Sequence, residues 1–131
     1  MDIPRLGSTC RRQSGQGLVE LAVALPVLLL AALAILQFAL YVHAQDVVTT
    51  ACAEGAIVAS TANGSVANGM ATARSLLAAG LGNTAGAVTV RGTDGGPTVA
   101  VEATGDVPML VLGPAVRLPL HARSVMLKEE R

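Results

Sequence analysis

Tryptophan is absent from these 131 residues, and phenylalanine and tyrosine occur once each, as Phe38 and Tyr41. So few aromatics leave no platform on which nucleic-acid bases could stack and none to lay against a sugar ring. Basic clusters are lacking as well. Nine Lys and Arg are balanced by nine Asp and Glu, and beyond residue 15 six bases face eight acids, so no patch would hold a phosphate backbone and no nucleic-acid partner is expected. Histidine appears only at 43 and 121, with no Cys or carboxylate nearby at metal-ligand spacing, so no metal site is predicted. Ser14, Asp94 and the glycine pairs Gly64/Gly69 and Gly95/Gly96 stand in no phosphate-loop or nucleophile context. The chain therefore reads as neither an enzyme nor a cofactor or small-molecule binder.

What is present is a long apolar run. Residues 21–42 are broken only by Pro26 and Gln37, and about 20 residues at helical rise cross the hydrocarbon core of a bilayer. A helix satisfies its own backbone there. Pro26 removes one donor near the start, which predicts a kink without an end to the helix. Arg5, Arg11 and Arg12 precede the run, and no Lys or Arg follows it until Arg74. The positive-inside bias thus predicts a cytoplasmic N-terminus and an extracytoplasmic C-terminal part, with the lipid bilayer as first partner.

Three readings of this segment differ in where the mature chain begins. It is an uncut anchor; or a secretory signal cut after Ala44, although the run exceeds the ~7–15 residues of an h-region; or a leader cut between Gly15 and Gln16 that leaves the helix in the product. Glu20 is then either a carboxylate at the membrane boundary, favoured by the helix dipole by about 0.3–1 kcal/mol, or a charge needing a partner in hydrocarbon.

The stretch from Arg11 to Pro26, with Gly15-Gln16-Gly17-Leu18-Val19-Glu20 at its centre, resembles the start of TadE-type pseudopilins of the Flp, or tight-adherence, pilus system. The resemblance continues through Ala53-Glu54-Gly55-Ala56 and, at the C-terminus, through Ala122-Arg123-Ser124-Val125-Met126 and Glu129. It implies a leader bearing Arg11 and Arg12, cleavage by a prepilin peptidase between Gly15 and Gln16, and an early proline at Pro26. Glu20 then becomes mature residue five, paired with the new α-amino group of Gln16 or a neighbour's. Leu21 stands where major Flp pilins carry tyrosine, and Gln16 is not a signature first residue, so the resemblance implies a minor subunit. Its implied partners are the peptidase, other pilin or pseudopilin subunits and the pilus assembly platform.

Downstream, Val48, Ala51, Cys52, Gly55, Val58, Ala59 and Ala62 recur at helical spacing and predict that the helix continues to about residue 62. Asn63-Gly64-Ser65 ends it and offers caps to a second helix carrying Val66, Met70, Ala73 and Leu77, closed by Gly80 or Gly82. After Gly86 the period drops to two. Val88 and Val90, the turn Thr93-Asp94-Gly95-Gly96-Pro97, then Val99, Val101 and Ala103 predict a hairpin. A third strand is expected from Val116 to about Lys128, with Leu118, Leu120 and Ala122 inward and Pro119 placing it at an edge. Residues 105–114, with Met109-Leu110-Val111-Leu112, read as a loop. The expected fold is α+β and pilin-like: a long N-terminal helix, a second helix and a small three-stranded antiparallel sheet. Segments fall at 1–15 (leader), 16–42 (span), 43–62 (outward helix) and 63–131 (outer domain). Cys10 would leave with the leader, and Cys52 reads as a small buried hydrophobe.

Overall fold

The structure is a computed structural model describing residues 11–109, 113 and 115–129, with the side chains of 11–14 outside it. Helix α1 occupies Arg11–Ser60 and helix α2 Val66–Leu81; a 3₁₀ turn, Gly82–Ala87, leads into strands β1 (Val88–Asp94), β2 (Thr98–Pro108) and β3 (Arg117–Leu127). The strands form one antiparallel sheet in the order β1-β2-β3. This is the α+β architecture expected from the change of period. The chain divides into two compact units, Met1–Leu36 and Gln37–Arg131.

In the first unit the described residues are helix. Every residue from 15 to 36 is exposed, and Pro26 lies inside the helix without ending it.

The second unit packs two helices on one face of the sheet. Its core is assembled from small side chains: Ala44, Val48, Ala51, Cys52 and Ala56 from α1, Ala73 and Leu77 from α2, and Val90, Val101, Ala103, Leu120 and Ala122 from the strands. Inward and outward residues alternate along β2 and β3, as a sheet with one buried face requires. A buried Leu or Val contributes about 1.5–3 kcal/mol, but alanines contribute less, so this core depends on close approach of backbones.

That approach is visible where α1 crosses α2. A Cβ added to Gly55 would lie 2.7 Å from the Gly69 carbonyl oxygen and 3.1 Å from the Ala73 Cβ. Reciprocally, a Cβ on Gly69 would overlap the Gly55 carbonyl and lie 2.7 Å from the Ala59 Cβ. Each helix thus presents a Gly-x-x-x-Ala pair, 55/59 and 69/73, the small-residue spacing that lets helix backbones touch. Ser65 caps α2 by accepting the Asn68 N–H at 3.1 Å, and Gly82, at φ 55°, ends it.

Helix α1 also lies along β3. Tyr41 donates its hydroxyl to the Pro119 carbonyl at 3.1 Å, and one turn later the Gln45 side-chain amide donates to the His121 carbonyl at 2.7 Å. Carbonyls two residues apart on a strand point the same way, so the helix satisfies the side of β3 that β2 does not. Pro119 sits on this edge strand, where its missing N–H is tolerated. At the far end the Glu129 N–H reaches the Ser60 carbonyl at 2.9 Å and its carboxylate accepts the Ala62 N–H at 3.3 Å. The last residues described therefore close the end of α1.

Three details depart from the sequence reading. Helix α1 stops at Ser60, two residues early, because Thr61 to Gly64 already form the turn closed by Gly64 N–H to Thr61 O at 2.8 Å. Residues 105–108 are strand, since Gly105, Asp106, Val107 and Pro108 pair with Leu120, Pro119, Leu118 and Arg117. The remaining connection is tied by Met109 N–H to Val116 O at 2.8 Å; the loop reading of 110–112 and 114 falls outside the described residues. The 3₁₀ turn carries no periodic apolar signal, and residues 82–87 were not assigned an element from sequence.

Candidate functional site

The residues singled out near the N-terminus share one stretch of helix. Gly15, Gln16, Gly17 and Glu20 lie in the first three turns of α1 and are all exposed. Arg11 and Arg12 begin the helix; their side chains, like Arg5 and Cys10, lie outside the described part. No acid stands in the first turn, so two arginines occupy the end where the helix dipole disfavours cations. The fold itself asks nothing of the two glycines. A Cβ at Gly15 or Gly17 would meet nothing within 4 Å, and glycine weakens a helix interior by about 1 kcal/mol relative to alanine.

Glu20 follows Gln16 by four residues, which places the two on one face of the helix. The face continues through Val23 and Ala24 to Val27 and Leu28, the i+3, i+4, i+7 and i+8 positions, and together with Val19 these side chains line a shallow apolar groove below the carboxylate. Val23, Val27 and Leu28 are 66%, 62% and 68% exposed. No described side chain forms an ion pair with Glu20. Pro26 has no N–H to offer the Ala22 carbonyl one turn back. The arrangement is a charge and a bare carbonyl at the head of an apolar stripe.

This helix, described over Gly15–Ser60, is the one among the described residues long and apolar enough to cross a membrane, and none of its most apolar stretch is buried by the protein. An apolar surface of that extent is covered by lipid or by another protein.

On the outer unit Arg117 pairs with Asp106 at 2.8 Å and Lys128 with Asp94 at 2.6 Å, and His121 Nε2 lies 3.0 Å from a carboxylate oxygen of Glu102. The Lys128 ammonium holds the Asp94 carboxyl below the usual range, helped by the Gly96 N–H at 3.0 Å. No group of three or more His, Cys, Asp or Glu that would hold a metal is found among the described residues. His121, with a carboxylate 19 positions away in sequence, therefore has a hydrogen-bond partner rather than a ligand set. His43 is exposed. Cys52 is buried and its thiol lies 3.6 Å from the Ala122 carbonyl; burial pushes that thiol up.

Sequence reasoning missed a cleft of about 380 Å³ at the Gln37 end of this unit, lined by α1, the end of α2, the 3₁₀ turn and the end of β2. Its one sequence signal is Gln37, a polar residue inside an apolar run, which is buried here. The Gly55/Gly69 crossing also left a readable signal in two Gly-x-x-x-Ala spacings. The closure of α1 by Glu129 left none, because it joins positions 69 apart in the chain.

Comparison with known proteins adds one finding. Residues 15–56 match the family model described as TadE-like protein, so the segment holding Gly15, Gln16, Glu20 and Pro26 is TadE-like. No curated protein matches the chain, and no solved structure does.

Proposed function

We propose that this chain, TadE-like over residues 15–56, is a minor pilin-type subunit of a tight-adherence pilus machine. It works by assembly, and a prepilin peptidase matures it between Gly15 and Gln16. The observation that carries this reading is that the family match opens at Gly15, in a stretch where the fold has no use for its glycines. Glycines that no packing explains are accounted for by an enzyme that must grip the backbone. In this reading residues 1–15 are the leader and 16–42 are the membrane-spanning helix. Residues 43–62 carry the helix outward, and 63–131 complete the outer domain.

Cleavage would change the electrostatics of the helix end. It removes Arg11 and Arg12 from the positive end of the dipole and brings Glu20 within about one turn of the new terminus. The dipole there favours an acid by about 0.3–1 kcal/mol. The new amino group of Gln16 supplies a cation one turn away, on the subunit itself or on a neighbour. An ionised carboxylate in hydrocarbon costs roughly 2.5–3.5 kcal/mol, and that penalty makes pairing, and so register between subunits, favourable. The apolar stripe of Val23, Ala24, Val27 and Leu28 then packs against a neighbouring helix.

The test is the intact mass and N-terminal peptide of the protein recovered from membranes of cells that make a prepilin peptidase. The expected product starts at Gln16 and retains the span. A start at Met1 in peptidase-positive cells would overturn maturation and leave an anchored accessory protein; a start at Gln45 would mean a secreted domain and end the assembly mechanism.

A further inference from the structure

We infer that the outer unit carries an electrostatic contact between copies of this chain: the α1 stripe of one copy, bearing Asp46 and Glu54, lies across the open face of the next copy's sheet, on Arg91 and Arg123. This contact rests on the assembly reading in one respect, that copies stand side by side with their α1 helices pointing the same way.

Most charges of this unit are answered within it. Asp94 pairs with Lys128 and Asp106 with Arg117, the Glu102 carboxylate lies on His121 Nε2, and the Glu129 carboxylate accepts the Ala62 N–H. Asp46, Glu54, Arg74, Arg91 and Arg123 have no ion pair among the described residues, and all five are exposed. Their signs are segregated. Both acids lie on α1, whose core side is Ala44, Val48, Ala51 and Cys52. Asp46, Thr50, Glu54 and Ile57 run along its other, exposed side at the spacing of one helix face. Arg91 and Arg123 are both register partners of Glu102, so the three side chains form one row across β1, β2 and β3. The row alternates with the inward Val90, Val101 and Ala122 and so points away from the helices. Arg74, on α2, belongs to neither patch.

The two patches also match in height. Helix α1 is pinned to β3 at two levels, by Gln45 on the His121 carbonyl and by the Ser60 carbonyl on the Glu129 N–H. Between those levels the helix rises about 22 Å and the strand about 26 Å, so the two run nearly parallel. Thr50 then stands level with Arg123, and Ile57 with Leu127. A second copy set beside the first, neither raised nor lowered, places its Asp46 and Glu54 about 6 Å to either side of the arginine row, within reach of side chains as long as arginine. It also sets Ile57, 44% exposed, against Val125 and Leu127, 52% and 75% exposed, at the apolar end of the open face. Opposite charges and apolar ends thus coincide at one register. The patches are different surfaces of one unit, so the contact is heterologous and repeats from copy to copy rather than being self-complementary. Exposed charges are screened by salt, and their matching supplies register and specificity.

Cysteine crosslinking of the full-length chain in phosphatidylcholine liposomes is the test, in a Cys10→Ser background that keeps the buried Cys52. One population carries Ile57→Cys and another Leu127→Cys. On mild oxidation the mixture should give disulfide dimers several-fold above either population alone. Thr104→Cys, whose register partner is His121, about 20 Å along β3 from Leu127, should give few in place of Leu127→Cys. Reversing the acids (Asp46→Lys with Glu54→Lys) or the bases (Arg91→Glu with Arg123→Glu) in both populations should cut the yield several-fold, and all four changes together should restore it, which a folding defect would not. Val27→Cys, 62% exposed, reports separately on the helix packing of the assembly reading. If Val27→Cys dimerises while the Ile57→Cys and Leu127→Cys mixture does not, the outer contact is wrong and the assembly reading stands. Ile57→Cys dimerising alone as well as the mixture does would make the contact symmetric and overturn the heterologous one. A yield indifferent to charge reversal would overturn the charge matching. Mixed dimers without Val27→Cys dimers would uphold the outer contact and remove the helix packing, and the absence of both would overturn the two together.

Discussion

Adding one methyl group to Gly69 tests the helix crossing on which the outer unit depends. The new Cβ would overlap the Gly55 carbonyl and approach the Ala59 Cβ to 2.7 Å. Because the first obstacle is backbone, relief requires the helices to separate. Overpacking of this kind costs about 1–3 kcal/mol, and a backbone obstacle sets it at the upper end. Alanine recovers about 1 kcal/mol of helix propensity over glycine, leaving a net loss of roughly 2 kcal/mol. For a unit of this size 1 kcal/mol shifts Tm by about 4–8 °C, so Gly69→Ala should lower it by about 8–16 °C. The assay is thermal unfolding of the full chain in detergent followed by circular dichroism. Gly86→Ala, where a Cβ would meet nothing within 4 Å, is the matched control and should stay within about 0.5 kcal/mol of the parent. The Gly55→Ala/Gly69→Ala double variant should lose less than the sum of the singles, because both force apart the same contact. A Gly69→Ala protein as stable as Gly86→Ala would refute the reasoning and mean that the helices do not meet there.

Three further outcomes follow from single contacts. Asp94 has its carboxyl held down by Lys128, so the pair's contribution is fully present above the ordinary aspartate pKa of about 3.9 and is lost as pH falls through the lower folded value. The Tm should therefore drop below about pH 4, and less steeply in Asp94→Asn; identical acid limbs would dismiss the pair. Cys52, 1% exposed, should resist an aromatic disulfide reagent in the native protein and react at once in denaturant, whereas rapid native labelling would remove it from the core. Tyr41→Phe deletes the hydrogen bond to Pro119 and should destabilise by about 0.5–1.5 kcal/mol, and an unchanged Tm would mean water replaces that hydroxyl.

Legibility in the sequence tracked the range of the interaction. The α2 cap at Ser65, the stop at Gly82 and the Gly95-Gly96 turn were readable because each is made by residues a few positions apart. The inward face of Val99, Val101 and Ala103 was readable because a sheet with one buried face repeats every two residues. Residues 105–108 were misread because Gly105 and Pro108 look like loop residues. Pairing with the far end of β3 outweighed that local preference, as tertiary context does for strands. Gly105 is tolerated there for a spatial reason, since a Cβ would lie 2.6 Å from the Ala87 carbonyl. The cleft stayed hidden for a similar reason: its wall joins residues 37 and 108, which no local pattern connects.

The candidate assembly residues Gly15, Gln16, Glu20 and Pro26 all lie on one helix, so their shared placement needs no long-range contact. Placing them there adds a distinction between two kinds of glycine that composition alone cannot make. Gly55 and Gly69 are required by the fold, since backbone stands where their side chains would be. Gly15 and Gly17 face open space and weaken the helix they belong to. In the function proposed above, such residues owe their place to something outside the folded chain. Glu20 has the same character, lying at the head of an exposed apolar stripe without an ion pair among the described side chains. Glu20→Ala should therefore leave the Tm of the outer unit unchanged and leave cleavage after Gly15 intact, while removing the protein from assembled pili. Wild-type incorporation of that variant, measured by its abundance in sheared filaments, would show that the carboxylate has no external partner and would undo the charge-pairing step.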